Sequence, residues 1–386
     1  MKIGIVTFIH TQNIGANLQC FALQNTLDRL GYDTEVINLY RPIDIGYIPC
    51  DNDKKRFHGI YTHKSLKDYK SRINRIVANI IKKIFNKKKE IQRFDGFLSF
   101  RNKYINFSKK IYKNYTQLYS EFPKNEYTHL IVGSDQVWNY ASDYSKEPFF
   151  LTFVEGINKI SYGASVGLST IPPTVERIYS KWLTDFSAIS VREATSVVAI
   201  SKLTMKDVYR VLDPTLLLNK NEWLKAFDIC PTEKIRYVLV YMLSISDKVI
   251  NFARNVAKRM NCNVKIITNR PYYKSFSDCE FLRAENPISF IELYCNARFV
   301  VTNSFHGTAF AINFNIPFVT IDKKSSFLNS RKQSLLELLC LRDRYIYEED
   351  KQDIDKFIRC DFHKVNNILL KERENSISFL KKALNS

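Results

Sequence analysis

The chain has 386 residues, of which 45% are hydrophobic and 25% charged, a balance that fits one or two soluble globular domains and excludes a disordered or low-complexity protein. No apolar run approaches the roughly 20 residues of a membrane-crossing helix, and Met1-Lys2 opens into a short apolar run rather than a secretory signal, so a cytoplasmic location is expected. The formal charge is +19 and most of it is local: residues 54–113 hold 19 Lys/Arg against 3 Asp/Glu, a net +16, which asks for an anionic partner such as nucleic acid, an acidic membrane surface or a phosphorylated substrate.

Lys2 to Phe8 reads as a buried strand, Gly15 to Leu30 as a helix closed by Gly31, and Thr34 to Leu39 as a second strand. This order opens a doubly wound α/β domain. Ile73 to Phe85 sets apolar residues at helical spacing among Arg75, Lys82 and Lys83, predicting a basic amphipathic helix inside a basic helical insertion at about 54–113. That helix is either a membrane-contacting or a solvated surface. Further strands are expected at 128–132, 159–162 and 188–191, and a connecting region at 214–235 follows Asp213-Pro214. Beyond it, strands at 237–243, 264–268, 299–302 and 318–321 alternate with helices at 247–260, 289–296 and 308–315. The predicted fold class is therefore α/β, with two Rossmann-like domains, residues 1–213 and 236–360, facing across a cleft in a GT-B-like arrangement. Residues 361–386 form a C-terminal helix placed to cross back to the first domain. The eight cysteines are widely spaced, without a Cys-x-x-Cys pair, which points to reduced thiols and away from a disulfide framework or a metal site.

Chemistry is expected where apolar strands stop at polar clusters. After the first strand, Asn13, Gly15 and Asn17 stand at a helix N-terminus, either as a ligand-facing turn or as a plain cap. After Leu130-Ile131-Val132 comes Gly133-Ser134-Asp135-Gln136-Val137-Trp138-Asn139. Asp135 can take a proton from an attacking hydroxyl, with Gln136, Trp138 and Asn139 beside it for a sugar; alternatively Asp135 is a helix cap and Trp138 core. Arg192, next to Glu193, offers a planar fork for carboxylate or phosphate, or else an ion pair. The sharpest signal is Phe299 to Thr308, where Asn303, Ser304 and His306 can donate to an oxyanion alongside the backbone of Gly307 and Thr308. There His306 can also serve as an acid near neutral pH. Lys323 and Arg331 follow the next strand, closing over the same anion or lying in a solvated basic loop.

Taken together, Asn13 to Gln19, Gly133 to Asn139, Ser161 to Gly167, Ser190 to Glu193 and Thr302 to Gly307 occur in the order seen in the polysaccharide pyruvyl transferases. The chain resembles that family from Lys2 to about Arg344. The resemblance implies a GT-B-like enzyme that moves pyruvate from phosphoenolpyruvate onto two hydroxyls of one hexose as a cyclic ketal and releases phosphate. Phosphoenolpyruvate is then a co-substrate, and no cofactor or metal is required. The family's histidine and arginine match His306 and Arg192, so His306 is expected to protonate the enol carbon while Arg192 holds the donor's charge, with Asp135 as the candidate base. Some members carry an arginine two residues before the histidine. This chain has Ser304 there, leaving Arg331 or Lys323 to supply the charge. The implied acceptor is a lipid-linked capsule, exopolysaccharide or cell-wall glycan precursor, which gives the basic helix an anionic membrane to meet. The same residues also suit a GT-B glycosyltransferase using a nucleotide sugar. A nucleic-acid-binding protein is a remote alternative, since no binding signature accompanies the charge.

Overall fold

Lys2–Val6 (β1) is buried at every position after Lys2, as expected of a parallel strand covered on both faces. The computed structural model describes residues 1–50, 87–142, 147–168, 170–232, 236–268, 276–282, 285–324, 330–350 and 353–385. The amphipathic pattern at 73–85 lies outside them.

From β1 the chain runs through Ile14–Arg29 (α1), Asp33–Leu39 (β2), Lys87–Tyr104 (α2), Phe107–Tyr112 (β3), Tyr115–Glu121 (α3), His129–Val132 (β4) and Asn158–Ala164 (β5). Pro173–Leu183 (α4), Phe186–Val191 (β6), Ala194–Ser201 (α5) and Val208–Arg210 (β7) complete the first domain. Its seven strands pair in the order β3-β2-β1-β4-β5-β6-β7, all parallel. A linker with Lys220–Ala226 (α6) leads to Tyr237–Met242 (β8), Asp247–Met260 (α7), Asn263–Thr268 (β9), Cys279–Leu282 (β10), Pro287–Cys295 (α8) and Ala297–Thr302 (β11). Phe305–Asn313 (α9), Phe318–Asp322 (β12), Ser330–Leu338 (α10), Tyr345–Tyr347 (β13) and Asp355–Ile358 (α11) follow. This second sheet is also parallel, in the order β10-β9-β8-β11-β12-β13.

Both orders reverse direction beside their first strand, and such switch points open a crevice at the carboxyl ends of the flanking strands. In the first sheet these ends are the loops after β1 and β4; in the second, the loops after β8 and β11. The two doubly wound domains make the expected GT-B-like architecture. Of the stretch 54–113 read as a helical insertion the described part begins at residue 87, and its end, Phe107–Tyr112, is an edge strand of the main sheet.

The domains share one continuous apolar cluster running from Ile3 and Phe21 to Phe310 and Leu384. Trp223 of the linker helix joins them, its ring centroid 5.7 Å from Phe21 and 5.3 Å from Phe310. His363–Leu384 (α12) crosses back to the first domain. Its Ser376 hydroxyl accepts from the Leu212 N–H at 3.0 Å, and Phe379 packs on Tyr162 and Tyr209. Among the described residues no helix is long and apolar enough to cross a membrane.

Candidate active site at the domain junction

The end of β11 turns into α9 through a tight local network. The Ser304 N–H donates to Thr302 Oγ1 at 3.0 Å, and the Thr302 hydroxyl donates to the Tyr241 carbonyl at 2.7 Å. Ser304 then caps α9, accepting from the Gly307 N–H at 3.4 Å, as a serine at the N-cap does. Gly307 is required because a Cβ there would run into the Thr302 side chain. This turn fixes His306 in the first turn of α9, 7% exposed, with its ring edge against Phe305.

The opposite wall comes from the first domain. Asn13 caps α1 by accepting from the Ala16 N–H at 3.2 Å. The backbone of Gly15 lies directly on the His306 imidazole, and any Cβ at position 15 would overlap the ring. Glycine is used here for close approach between domains. Arg93 and Arg101 of α2 donate to the carbonyls of Gln12 and Thr11, so the basic region's arginines hold this loop in place.

Below His306 sits a buried ionic network. Asp213, at the junction after β7, is an acceptor on both oxygens. Oδ1 takes the Thr215 N–H at 3.0 Å and its hydroxyl at 2.7 Å, while Oδ2 takes the Ser134 hydroxyl at 3.0 Å and Arg192 Nη1 at 2.6 Å. Arg192 Nε donates to Glu193 Oε1 at 3.0 Å, and its guanidinium stacks over Phe305 at 4.1 Å. In this network two buried atoms have no hydrogen-bond partner among the described residues: Arg192 Nη2 and His306 Nε2. The latter lies 3.8 Å from Asp213 Oδ2, too far for a hydrogen bond. Buried polar groups are nearly always paired, so an orphan pair at one junction marks a place for a ligand.

The charges shift the ionisations accordingly. Burial alone would raise the Asp213 carboxyl, but Arg192 foremost, and then His306, bring it down to about 2. Burial also opposes charge on Arg192, and Glu193, Asp213 and Asp135 outweigh it, so the guanidinium is held above its usual range. For His306 burial prevails and its pKa is lowered, with Arg192 and Arg331 acting in the same direction and Asp213 and Asp135 against it. Asp135 therefore acts on both Arg192 and His306. It follows β4 with φ of 73°, a left-handed conformation uncommon for a side-chain-bearing residue, and its Oδ1 accepts from the Gln136 N–H at 2.8 Å.

The structure thus brings together Asp135, Arg192, His306, Arg331 and Gly15, while other expected residues have different work. Trp138 is fully buried, its Nε1–H donating to the Phe149 carbonyl at 2.8 Å and its ring stacked on Phe150; the expectation that it meets a sugar is corrected to a core role. Thr308 is likewise corrected: its N–H, expected to face the anion, donates to the Ser304 carbonyl at 3.0 Å, and the residue is fully buried with its hydroxyl on the Ser304 carbonyl and the Thr320 hydroxyl. Asn17 is also buried, and its amide ties the carbonyls of Thr11 and Asn13, each at 2.9 Å. Asn303 pins the loop after β8, accepting from the Leu243 N–H and donating to the Ser244 carbonyl. Gln136 and Asn139 pair with each other at 2.7 Å beside Gly167, and Lys323 is exposed.

Sequence reasoning missed Asp213, although an acid before Pro214 at the domain boundary was visible. It also missed Tyr241 at the end of β8, whose hydroxyl is pushed up to about 12 by burial, with Arg93 and Ser304 acting in the opposite direction. Among the described residues no group of His, Cys, Asp and Glu is placed to hold a metal ion.

Solved structures with the same architecture include a UDP-GlcNAc 2-epimerase from Methanocaldococcus jannaschii in complex with UDP-GlcNAc and UDP. It has 11% identity over 100% of this chain and 99% of that chain, with a TM-score of 0.50. A protein described as a UDP-N-acetylglucosamine 2-epimerase from Listeria monocytogenes shows 9% identity over 98% of this chain and 90% of that one, with a TM-score of 0.51. At such identities the likeness is one of fold. No curated protein matches the chain. The family model for polysaccharide pyruvyl transferase matches residues 13–325, a span that contains the Gly15 turn, Asp135, Arg192, Asp213 and His306, and the chain belongs to that family.

Proposed function

We propose that the protein is a ketal pyruvyl transferase: it takes pyruvate from phosphoenolpyruvate and bridges two hydroxyls of a hexose in a bacterial capsule, exopolysaccharide or cell-wall glycan precursor, releasing phosphate. The observation that carries the reading is the orphan pair, Arg192 Nη2 and His306 Nε2, buried together at the domain junction with Asp135 close enough to influence both.

The chemistry asks for this set. The enol carbon C3 must gain a proton before a hydroxyl oxygen bonds to C2, and His306 is the acid in reach of the junction. Burial lowers its pKa and so favours the neutral imidazole. A negatively charged donor offsets that cost, so binding charges the acid when it is needed. Asp135 accepts the hydroxyl proton. The second hydroxyl then displaces phosphate from C2: a C–O bond to sugar forms, the C–O bond to phosphate breaks, and the departing phosphate takes the second proton. Arg192 supplies fixed positive charge for the donor without reorganisation, since Asp213 and Glu193 already hold it in place.

The experiment is incubation of the protein with phosphoenolpyruvate and galactose, mannose, glucose and N-acetylhexosamine acceptors, free and lipid-linked, reading product mass and phosphate release. A ketal adduct with one phosphate released per turnover is expected. Transfer of a hexosyl group from a nucleotide sugar instead, with no ketal on any acceptor, would reassign the site to glycosyl transfer. We place the lipid-linked acceptor at an anionic membrane surface met by the basic stretch 54–113. Equal liposome co-sedimentation after Lys82, Lys83, Lys87, Lys88 and Lys89 are replaced would remove that part of the reading.

A further inference from the structure

The peptide unit joining Asn303 to Ser304 is held by side chains at both ends. Its N–H, on Ser304, donates to Thr302 Oγ1 at 3.0 Å. Its carbonyl, on Asn303, accepts from Lys332 Nζ of α10 at 2.9 Å. This unit stands directly before α9, whose first turn carries His306, so its orientation sets where that turn begins.

Lys332 is 5% exposed, and its ammonium is fully used. Besides the Asn303 carbonyl it meets Asp322 at the end of β12, at 2.9 Å on Oδ1 and 2.7 Å on Oδ2. An ammonium has three N–H donors, and these three oxygens take them. Asp322 is fixed in its turn: Oδ2 accepts from the Tyr345 hydroxyl at 2.8 Å and the backbone carbonyl from the Glu348 N–H at 2.8 Å. Burial works against the Lys332 charge and Arg331 adds to it, with Asp322 opposing both. A buried ion pair adds little stability over apolar side chains of the same volume. What an ammonium supplies here and an apolar side chain does not is the third bond, out of the pair and onto the main chain leading to His306. The same helix reaches the other wall of the site, where the Ser334 hydroxyl accepts from the Ala194 N–H of α5 at 3.1 Å, two residues after Arg192.

We propose that Lys332 is the positioning residue of the His306 turn: anchored by Asp322, it holds the Asn303–Ser304 peptide, and through it the imidazole, in register with Arg192. It acts through the turn and not on the reacting atoms. Only the role of the imidazole as an acid rests on the ketal-transfer reading above; the holding of the turn by Lys332 does not.

The test compares the parent with Lys332→Met, Lys332→Arg and the double variant Lys332→Met/Asp322→Asn. The readouts are melting temperature, amide hydrogen exchange over residues 303–309 relative to α7 of the same domain, and kcat and KM for phosphate release from phosphoenolpyruvate with a hexose acceptor. Lys332→Met strands a buried carboxylate and should melt lower than the parent. The double variant carries neither charge and should recover most of that loss. Its exchange over 303–309 should nevertheless be faster than the parent's by about tenfold or more relative to α7, the worth of one hydrogen bond to a charged donor. Its kcat should stay about 10²-fold down, as misplacement of a reacting group brings about, while KM changes little. Lys332→Arg keeps a donor for the carbonyl and should restore part of the protection and of kcat. Unchanged protection of 303–309 in the double variant, or a kcat that returns together with the melting temperature, overturns the proposal. A parent that releases no phosphate, with exchange over 303–309 raised as expected in the double variant, keeps Lys332 as the holder of the turn and removes the reading of His306 as the acid of ketal transfer.

Discussion

Replacing Asp213 by Asn tests whether the junction is built on charge. Both carboxylate oxygens receive donors: Thr215 N–H and hydroxyl on Oδ1, Ser134 hydroxyl and Arg192 Nη1 on Oδ2. An amide cannot copy this, because whichever way it is turned its NH2 faces a pair of donors. The partner guanidinium is buried and keeps Glu193 as its other partner, so removing the Asp213 charge leaves it only partly compensated, at a cost below the about 3–5 kcal/mol of breaking a buried pair outright. The Asp213 pKa of about 2 lies below its unfolded value, near 3.9. Its charge therefore stabilises fully at neutral pH, and that contribution is lost as pH falls from about 4 through about 2. Urea denaturation at pH 7 is expected to show the full loss for Asp213→Asn. Arg192→Met alone should also destabilise, by leaving Asp213 without its cation. The double variant should be more stable than the two losses predict, by roughly 1–3 kcal/mol. Losses that add to within about 0.5 kcal/mol would refute the coupling and with it the account of Arg192 as a cation held in place by Asp213.

His306→Gln should lower kcat for phosphate release by about 10²–10⁴ with an unchanged circular dichroism spectrum. An acid must be protonated to act, and burial lowers this one. The fall in parental kcat/KM with rising pH should therefore begin below the ordinary imidazole pKa of about 6.5, and the fall in kcat, with anionic donor bound, at higher pH. Coincident limbs would separate His306 from the acid step. Gly15→Ala puts a methyl group into the space of the His306 ring and should cost about 1–3 kcal/mol in thermal or urea unfolding, with a loss of turnover as the wall or the ring moves. Trp138→Phe strands the Phe149 carbonyl, at about 1–3 kcal/mol, and should leave the acceptor KM untouched. A raised acceptor KM at unchanged stability would return Trp138 to the sugar site.

What could be read from sequence, and what could not, divides along physical lines. Central parallel strands are apolar on both faces, so β1, β4 and β11 stand out as runs that stop at polar clusters, and their motifs fell at the switch points. The strands that escaped notice, β3, β7, β10 and β13, are the four sheet edges. Phe107–Tyr112 exposes Lys109, Lys110 and Ile111 in succession, which erases the apolar run while the backbone still pairs on one side. Asp213 escaped for another reason. It meets Arg192 across 21 positions and Ser134 across 79, and only the assembled sheet makes those neighbours. Trp138 shows the converse error, because an indole inside a polar motif has the same local pattern whether it faces a sugar or, as here, fills the core beneath the loop.

The position of the site follows from the way the two domains are joined. Neither domain alone contains it: His306 comes from the second, Asp135 and Arg192 from the first, and Asp213 from the segment between them. Their alignment is set by a shared apolar cluster on one side, through Phe21, Trp223 and Phe310, and by the return of α12 onto β5 and β7. Both are extensive apolar contacts, the kind that resist small relative motions of packed elements. The polar junction can then tolerate what a mobile cleft could not, an imidazole pressed against the Gly15 backbone and, among the described residues, buried arginine nitrogens without a hydrogen-bond partner. Stability supplied by the apolar seam offsets the cost of keeping unpaired donors ready for an anion.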